Sequence, residues 1–445
     1  MWKWKYKRFP PPGHRGGMGV KRRVSRRQAA VVAAAALLAG WGSCAWCQDT
    51  APEDPVLGAS DVTGVGKIGR VHDRIRRAQQ RESLYGEISD LYRDYTNWKA
   101  RVQKETNVAY SFDVSLLQQW GSPDGGSPAL QIYAAPSLDW TVFKSRNWGT
   151  GSIQLAYNFV TYPTNQNAAS IQSNLGLITP INDFPRNTEN FAQLTYTQAS
   201  PDNKWLLTAG QYPLSNFDGN AYLDNQQQNF NNYVFAQNAT QTYLLTGLGA
   251  YLQFNATSTL HFAAGFQGAN NVSGEAISTK NFSNDCCAWF GYVQWTPRFR
   301  GFGSAQYSFS YFSTPSIPAR PSTRGWSVNA VQNLNETWAV FARANGANGF
   351  VTQIKNSYAL GVAMNNPLKR SSTDQIALAV GLSQAASPPT NPPNTRNEKP
   401  IEAYWTWTFF GGVLLTPSVQ YIFDPAMSPT KNGVWGLSLR ATFVF

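Results

Sequence analysis

The residue types that most often carry catalysis are sparse in this chain. Beyond residue 47 the sequence holds two histidines, His72 and His261, and neither belongs to a recognisable nucleophile motif. A histidine that acts as a general base needs a nucleophile or a carboxylate within hydrogen-bond reach. His261 lies between Leu260 and Phe262, so on a strand it would point to the side opposite these apolar residues, as an isolated polar group. The sequence therefore argues against an enzyme.

Cofactor chemistry finds equally little support. Cys286 and Cys287 are adjacent, so they form either an inert loop pair or a vicinal disulfide, and no Cys/His cluster has the spacing of metal ligands. The segment Gly64–Gly69 matches the glycine pattern of dinucleotide-binding loops, but no predicted strand precedes it and no βαβ unit surrounds it. We therefore expect no metal and no other cofactor.

The chemistry that remains is hydrogen bonding to a polar solute, and it is concentrated in a long connection from Pro213 to Tyr243. Connections beyond about 12–15 residues without regular structure are usually functional or disordered. This one contains aromatic residues to bury, so we expect it to be ordered and to fold inward across a solute path. Alternatively, it covers the mouth of the path or packs on a neighbouring protomer. The side chains expected near the solute are Asp218, Tyr222, Asp224, Asn225 and Gln227.

Three charged residues outside this connection are further candidates for the solute path. Arg343 and Arg440 each alternate with apolar neighbours, and Glu402 lies on a predicted strand. An Arg that faces lipid at the bilayer midplane costs roughly 2–4 kcal/mol, so both arginines should face the lumen of a barrel. They either line the path or are held there by pairing with a carboxylate such as Glu402 or Asp374.

A series of strands must position these residues. From Asn107 onward apolar residues recur at every second position, as expected of strands with one apolar face. The predicted strands are 107–120, 128–143, 150–162, 190–199, 203–212, 244–255, 258–267, 288–296, 302–313, 325–333, 336–345, 356–366, 373–385, 400–410, 412–423 and 433–445.

The links between these strands alternate between short and long. With the N-terminus in the periplasm, every short link falls on the periplasmic side, as in bacterial outer-membrane barrels with their even strand numbers. We therefore predict an all-β fold: an antiparallel transmembrane β-barrel of about 16 strands in residues 105–445. A barrel of that size has a lumen wide enough for water and small solutes.

The last predicted strand is typical of such barrels. Leu437, Leu439 and Phe445 alternate with polar residues such as Ser438 and Arg440, and the sequence stops on the aromatic. A terminal strand of this kind is expected to be recognised by the barrel-assembly machinery, and the apolar face is expected to contact outer-membrane lipid.

The segment before the barrel divides into three parts. Residues 1–47 contain a basic stretch followed by the apolar run Ala29–Leu38, which predicts a cleaved signal peptide with a possible true start at Met18. Residues 48–69 read as a flexible linker. Residues 70–104 carry an apolar stripe at helical spacing, which predicts an amphipathic periplasmic helix that rests on the barrel mouth or joins protomers in a homo-oligomer.

The net charge of +12 does not indicate a nucleic-acid partner. Ten of the 37 basic residues and none of the 25 acidic ones lie within residues 1–47, so the rest of the chain is nearly neutral. A nucleic-acid binder would keep a basic patch in its folded part.

From about Trp98 to Phe445 the chain resembles the carbohydrate-selective porins of Gram-negative outer membranes. The resemblance departs at the N-terminal side, where the family's "GDWGG" approach to the first strand is poorly kept. It rests on Thr208–Gln211, Asn216–Asp218, Gly325-Trp326, Phe341–Arg343, Gly361, Asn366-Pro367, Arg370, Asp374, Glu402, Tyr404, Leu415–Pro417, Val419–Ile422, Asp424-Pro425, Gly436-Leu437 and Arg440–Phe443.

This resemblance implies a porin that takes up mono- and oligosaccharides passively across the outer membrane. Two other functions stay open: a general or anion-biased porin, and an export conduit for a polysaccharide. An exporter would be expected to have periplasmic partner domains or a strongly charged lumen, and of these the sequence offers only the helix at 70–104.

Overall fold

The computed structural model describes residues 90–224, 226–243, 246–269, 287–316, 321–349, 353–371, 373–388, 390–410 and 412–445. The predicted signal peptide, the linker and the first part of the predicted helix lie outside the described residues. So does Asn225, one of the expected solute contacts.

The described residues form sixteen strands that close into one antiparallel barrel. Each strand pairs with its neighbours in sequence, and β1 pairs with β16 to complete the ring. Every predicted strand is present, and the ends differ from the prediction by at most three residues. The strands are β1 (Val108–Ser122), β2 (Ala129–Ser145), β3 (Gly149–Thr161), β4 (Thr188–Ala199), β5 (Trp205–Tyr212), β6 (Gly247–Asn255), β7 (Leu260–Gly268), β8 (Cys287–Trp295), β9 (Ala305–Thr314), β10 (Thr323–Asn333), β11 (Trp338–Asn348), β12 (Ile354–Asn365), β13 (Gln375–Ala385), β14 (Lys399–Phe410), β15 (Val413–Phe423) and β16 (Gly433–Val444).

Strand β16 shows the two faces of the wall. Leu437 and Leu439 are exposed on the outer surface, whereas Ser438 and Arg440 between them are buried inside. Successive strand residues point to opposite sides of a sheet, so the apolar set faces outward and the polar set faces the inside of the barrel. This confirms the predicted alternation and places both candidate arginines on the inner side.

The predicted helix is described from Asp90 as α1 (Asp90–Thr106). Its Trp98 ring lies edge-on to the outward-facing Tyr110 of β1, with 6.3 Å between the ring centroids. Lys99 lies over the same Tyr110 ring at 4.6 Å. Among the described residues, no helix is long and apolar enough to cross a membrane.

The connection between β3 and β4 contains α2 (Ala168–Leu175). Asn167 caps the start of this helix by accepting a hydrogen bond from the Ser170 N–H at 2.9 Å. Gly176, in the left-handed conformation, ends it. Ala168, Ile171 and Leu175 recur every three or four residues and form the buried face, which packs on the inner side of the barrel.

The connection between β5 and β6 begins with a 3-10 turn (Leu214–Phe217) and contains the short helix α3 (Tyr233–Ala236). Almost all of its described residues are buried, which is unusual for a connection on the surface of a protein.

Candidate functional site: two loops inside the barrel

The connection from 213 to 243, hereafter the inner loop, lies inside the barrel and packs against one side of it. The apolar side of the loop consists of Tyr222, Leu223, Phe230, Val234 and Phe235, all buried. It contacts an inner surface of small and aromatic residues, hereafter the apolar wall, on strands β10 to β14. The apolar wall consists of Val331, Ala339, Phe341, Ala359, Ala363, Ala377, Ala379 and Tyr404.

The start of the inner loop is fixed by a second aromatic cluster. Phe217 packs on Phe290 with 4.3 Å between ring centroids and on Tyr251 at 5.0 Å. Aromatic residues contribute large buried areas, so these contacts hold the loop against strands β6 and β8 from its first turn. The loop therefore folds inward, as predicted, and does not cover the mouth.

Glu402 on β14 holds the middle of the inner loop. Its carboxylate accepts the backbone N–H groups of Asn231 at 2.9 Å and Asn232 at 2.8 Å. Glu402 is completely buried, and a buried carboxylate is tolerated only where such donors replace water. Glu402 is thus a structural acceptor for the loop backbone.

Arg440 on β16 contacts the same segment from the other side. Its Nη1 donates to the carbonyl of Gln226, to the carbonyl of Asn229 at 3.0 Å and to Oδ1 of Asn231 at 2.9 Å. The nearby Glu402 offsets part of its charge electrostatically. Arg440 therefore faces the lumen side but is covered by the loop.

Arg343 on β11 and Asp218 at the start of the inner loop form a third attachment. Arg343 donates to the carbonyl of Leu223 and, at 2.6 Å, to the carbonyl of Gln237. Its Nε lies 3.9 Å from the Asp218 carboxylate, which also accepts from Asn329 at 2.9 Å. Both ends of the loop's central segment are thereby tied to the wall.

The connection from 162 to 187, hereafter the entrance loop, is held in the same way by Glu398. This carboxylate accepts the N–H groups of Ile178 at 2.7 Å and Thr179 at 3.0 Å, and that of Ala426 at 3.1 Å. Glu398 precedes Glu402 by four residues, so the chain around the start of β14 carries two buried carboxylates that each bind consecutive amides of one inward loop. Burial raises the pKa of Glu398 to about 7, against the opposing effect of these hydrogen bonds.

The two loops also contact each other. The N–H of Tyr233 donates to the carbonyl of Pro180 at 3.1 Å, and the Gln237 amide donates to the Asp183 carboxylate at 3.0 Å. The N–H of Asp183 in turn donates to the side chain of Gln226 at 2.7 Å. These contacts make one constriction out of two separate connections.

A cavity of about 290 Å³ lies where the two loops meet the opposite side of the barrel. Its lining combines amides, carboxylates, one guanidinium and aromatic rings. The polar and aromatic residues among them include Tyr133, Asn158, Asp183, Phe184, Arg186, Asn190, Gln193, Asn216, Asp224, Tyr233, Gln237 and Gln241.

The wall of this cavity is a hydrogen-bonded polar surface on β3 and β4. Gln193 and Thr195 both donate to the side-chain oxygen of Gln154 at 3.1 Å. Asn216 of the inner loop donates to Gln193 at 3.2 Å. We call the inward residues Gln154, Asn158, Asn190, Gln193, Thr195 and Thr197 the polar wall.

The structure separates the predicted solute contacts into two groups. Asp224 lines the cavity. Tyr222 instead stacks on Phe341 at 5.1 Å, and Gln227 reaches the carbonyl of Tyr133 at 3.3 Å. Asp218 likewise contacts the barrel strands. Arg343, Glu402 and Arg440 lie on the strands themselves and hold the inner loop.

Sequence reasoning missed several residues of this site. Asp183 and Gln237 belong to the two loops, and nothing in their spacing marks the side of a loop that faces solute. Glu398 could have been found, because it repeats Glu402 at a distance of four residues and so shares its face near the start of β14.

The residues first examined for catalysis occupy other places. His261 is buried on the inner side of β7. Cys287 is disulfide-bonded, so the alternative of an inert loop pair is wrong for this residue. No group of three or more His, Cys, Asp or Glu residues in the described part of the chain could hold a metal ion.

Comparison with known proteins identifies a matching family, related sequences and a solved structure with the same fold. The family described as "Carbohydrate-selective porin, OprB family" matches residues 288–445. Porin AaxA of Chlamydia abortus is 37% identical over 352 residues, covering 77% of this chain and 78% of that protein. Porin AaxA of Chlamydia pneumoniae is 34% identical over 357 residues, covering 78% and 81%. A structure of Pseudomonas putida OprB at high pH shares the fold with a TM-score of 0.66 at 15% identity, covering 79% of this chain and 97% of that one.

Proposed function

Because the chain belongs to the OprB family of carbohydrate-selective porins and is an outer-membrane channel rather than an enzyme, we propose that it passes mono- and oligosaccharides by passive diffusion. The path runs through the cavity between the two inward loops and the polar wall. One observation carries the proposal: this cavity is lined by amides, carboxylates and aromatic rings, whereas the other side of the inner loop is packed against the apolar wall.

The lining suits a solute with many hydroxyl groups. Asn158, Asn190 and Gln193 offer both donors and acceptors, which can replace the water around a sugar hydroxyl. Tyr233 and Phe184 supply aromatic faces for the C–H side of a sugar ring. Each contact is individually weak, which a channel needs so that the solute leaves as readily as it enters.

The predicted site residues take two roles in this proposal. Asp224 contacts the solute from the inner loop. Arg343, Glu402 and Arg440 are positioning residues, because they fix the loop and thereby the width of the path. Two carboxylates, Asp183 and Asp224, line the cavity beside one arginine, Arg186, which gives no support to an anion-biased channel.

Single-channel recording in planar bilayers with graded concentrations of mono-, di- and trisaccharides tests the proposal. We expect saturable sugar block in the wild type. Asn190→Leu or Asp224→Asn should weaken it about fivefold, since one hydrogen bond contributes about 1 kcal/mol. Asp202→Asn, the same chemical change in an exposed turn, is the matched control. A wild-type current that no sugar reduces would overturn the proposal in favour of a general porin.

A further inference from the structure

The turn between β8 and β9 carries an unusual set of exposed residues. Arg298, Phe299, Arg300 and Phe302 are all exposed, and the segment 296–304 contains no acidic residue. The adjacent turn at 334–337 contributes a single acidic residue, Glu336, so the two turns together remain positively charged.

The turn is an ordered projection. The Ala305 N–H donates to the carbonyl of Pro297 at 2.8 Å, and the Phe302 N–H donates to that of Phe299 at 3.1 Å. The N–H of Gly303 donates to Asn333 at the end of β10 at 2.9 Å. These bonds fix where the two arginines leave the barrel, which lowers the entropic cost of binding a ligand there.

Phe299 places the turn at the membrane surface. Its ring lies edge-on to Trp295 with 5.9 Å between centroids, and Trp295 packs on Tyr307 at 5.8 Å. Trp295 and Tyr307 occupy outward positions of β8 and β9, and outward aromatic residues near strand ends form the interfacial girdle of such barrels. Phe299 therefore continues the girdle beyond the strands, at the same end of the barrel as α1 and the other short links.

We propose that this turn binds the headgroup of an anionic phospholipid in the inner leaflet of the outer membrane. Arg298 and Arg300 flank Phe299 in sequence and are both exposed, so both guanidinium groups are within reach of a headgroup whose acyl chains contact the ring. A guanidinium group binds phosphate through two parallel hydrogen bonds. Phe299 and the girdle contact the upper part of the acyl chains. The partner is a lipid rather than a soluble acidic protein, because the apolar residue between the arginines lies on the lipid-facing band.

Native mass spectrometry of the purified barrel, titrated with phosphatidylglycerol or phosphatidylcholine, tests this inference. Each basic residue near an anionic lipid surface contributes about 1 kcal/mol, so Arg298→Gln/Arg300→Gln should weaken phosphatidylglycerol binding about tenfold or more. Its phosphatidylcholine binding should change little. The matched control is Arg324→Gln/Lys355→Gln, which removes two exposed charges at the opposite end of the barrel and should leave binding unchanged.

A second variant separates the two parts of the site. Phe299→Ala should weaken both lipids and keep the preference for phosphatidylglycerol. Single-channel conductance of all variants should equal that of the wild type, which shows that the barrel is folded and keeps this test independent of the sugar proposal. Equal phosphatidylglycerol affinity in the wild type and the double arginine variant would overturn the inference, as would an absence of preference in the wild type.

Discussion

The barrel has two inner surfaces that differ in chemistry, the polar wall on β3 and β4 and the apolar wall on β10 to β14. Gln193 and Thr195 on the polar wall both donate to Gln154, and Gln193 borders the cavity. Ala377 and Ala379 on the apolar wall are buried beneath the inner loop. The loop packs where it can bury its aromatic residues, and the cavity that we propose as the solute path lies on the opposite side.

This contrast shows that the wall itself determines the position of the constriction. An inward surface that mixes small residues with Phe341 gives the loop a fitted apolar seat, and burying a Phe or Leu side chain contributes about 1.5–3 kcal/mol. Buried charges at Glu402, Arg343 and Arg440 then fix the register of the loop. The proposed path is therefore off-centre in the lumen.

The largest effect should follow from removing the inner loop, which lies between the two surfaces. Excising Gly219–Asn238 and closing the gap with Gly-Ser deletes most of the aromatic contacts to the apolar wall. A sixteen-stranded lumen without a constriction is wide, so single-channel conductance should rise severalfold and saturable sugar block should disappear. Conductance and block equal to those of the wild type would place the selectivity elsewhere.

Breaking one attachment should give a smaller effect of the same kind. Arg440→Met leaves the carbonyls of Gln226 and Asn229 without this donor and Glu402 without a nearby positive charge. Leaving a buried acceptor without its donor typically costs about 1–3 kcal/mol, so the loop should detach part of the time. We expect a second, larger conductance level in single-channel recordings.

Two controls make the Arg440 experiment specific. In the excised barrel, Arg440→Met should change nothing, because the loop it holds is gone. Arg324→Met, at an exposed arginine near the start of β10, should keep a single conductance level. A second level that persists in the excised barrel would show that Arg440 acts on the wall itself.

The entrance loop should respond to pH, unlike the inner loop's aromatic contacts. The pKa of Glu398 is about 7 in the docked state and near 4.3 when the loop is undocked, so the docked state prefers the protonated form. Docking is then strongest below about pH 4.5 and weakens as pH rises through 7, by roughly 4 kcal/mol at most. Brief conductance changes should be more frequent at pH 8 than at pH 5.

Glu398→Gln should remove this pH dependence, because its side chain does not titrate. Asp424→Asn is the control, since ion pairs with Lys399 and Arg396 lower the pKa of Asp424 and keep its titration below this range. If the Gln variant keeps the pH dependence of the wild type, another group is responsible.

Local patterns were enough to predict the wall. Alternation with a period of two predicted all sixteen strands, because each strand has one face on the outside of the barrel and one on the inside. The inward fold of the 213–243 connection also followed from its length and aromatic content. On β13 the alternation is hidden, since inward Ala377 and Ala379 are as apolar as outward Leu378 and Val380. The lack of polar residues on the inward face of a strand indicates that this part of the wall is covered by protein.

The two sides of the inner loop could not be predicted, because they depend on distant pairings. Asp218 and Asp224 are both acidic and six residues apart, yet one meets Asn329 on β10 and the other borders the cavity. No local spacing encodes that difference. The difference depends on which loop residues contact the apolar wall, and the wall residues lie more than 100 positions later in the chain.

The smallest effect is expected from an Ala→Leu substitution, made once on each of the two surfaces. Ala379→Leu adds volume where the inner loop packs on the apolar wall, and overpacking a tight core typically costs about 1–3 kcal/mol. Ala192→Leu adds the same volume at the edge of the cavity, where there is space, and should alter stability by less than about 0.5 kcal/mol. The first variant should lower the heat-denaturation midpoint measured by gel mobility, and the second should lower conductance with an unchanged midpoint. The reverse assignment would contradict the division of the lumen into a packed side and an open side.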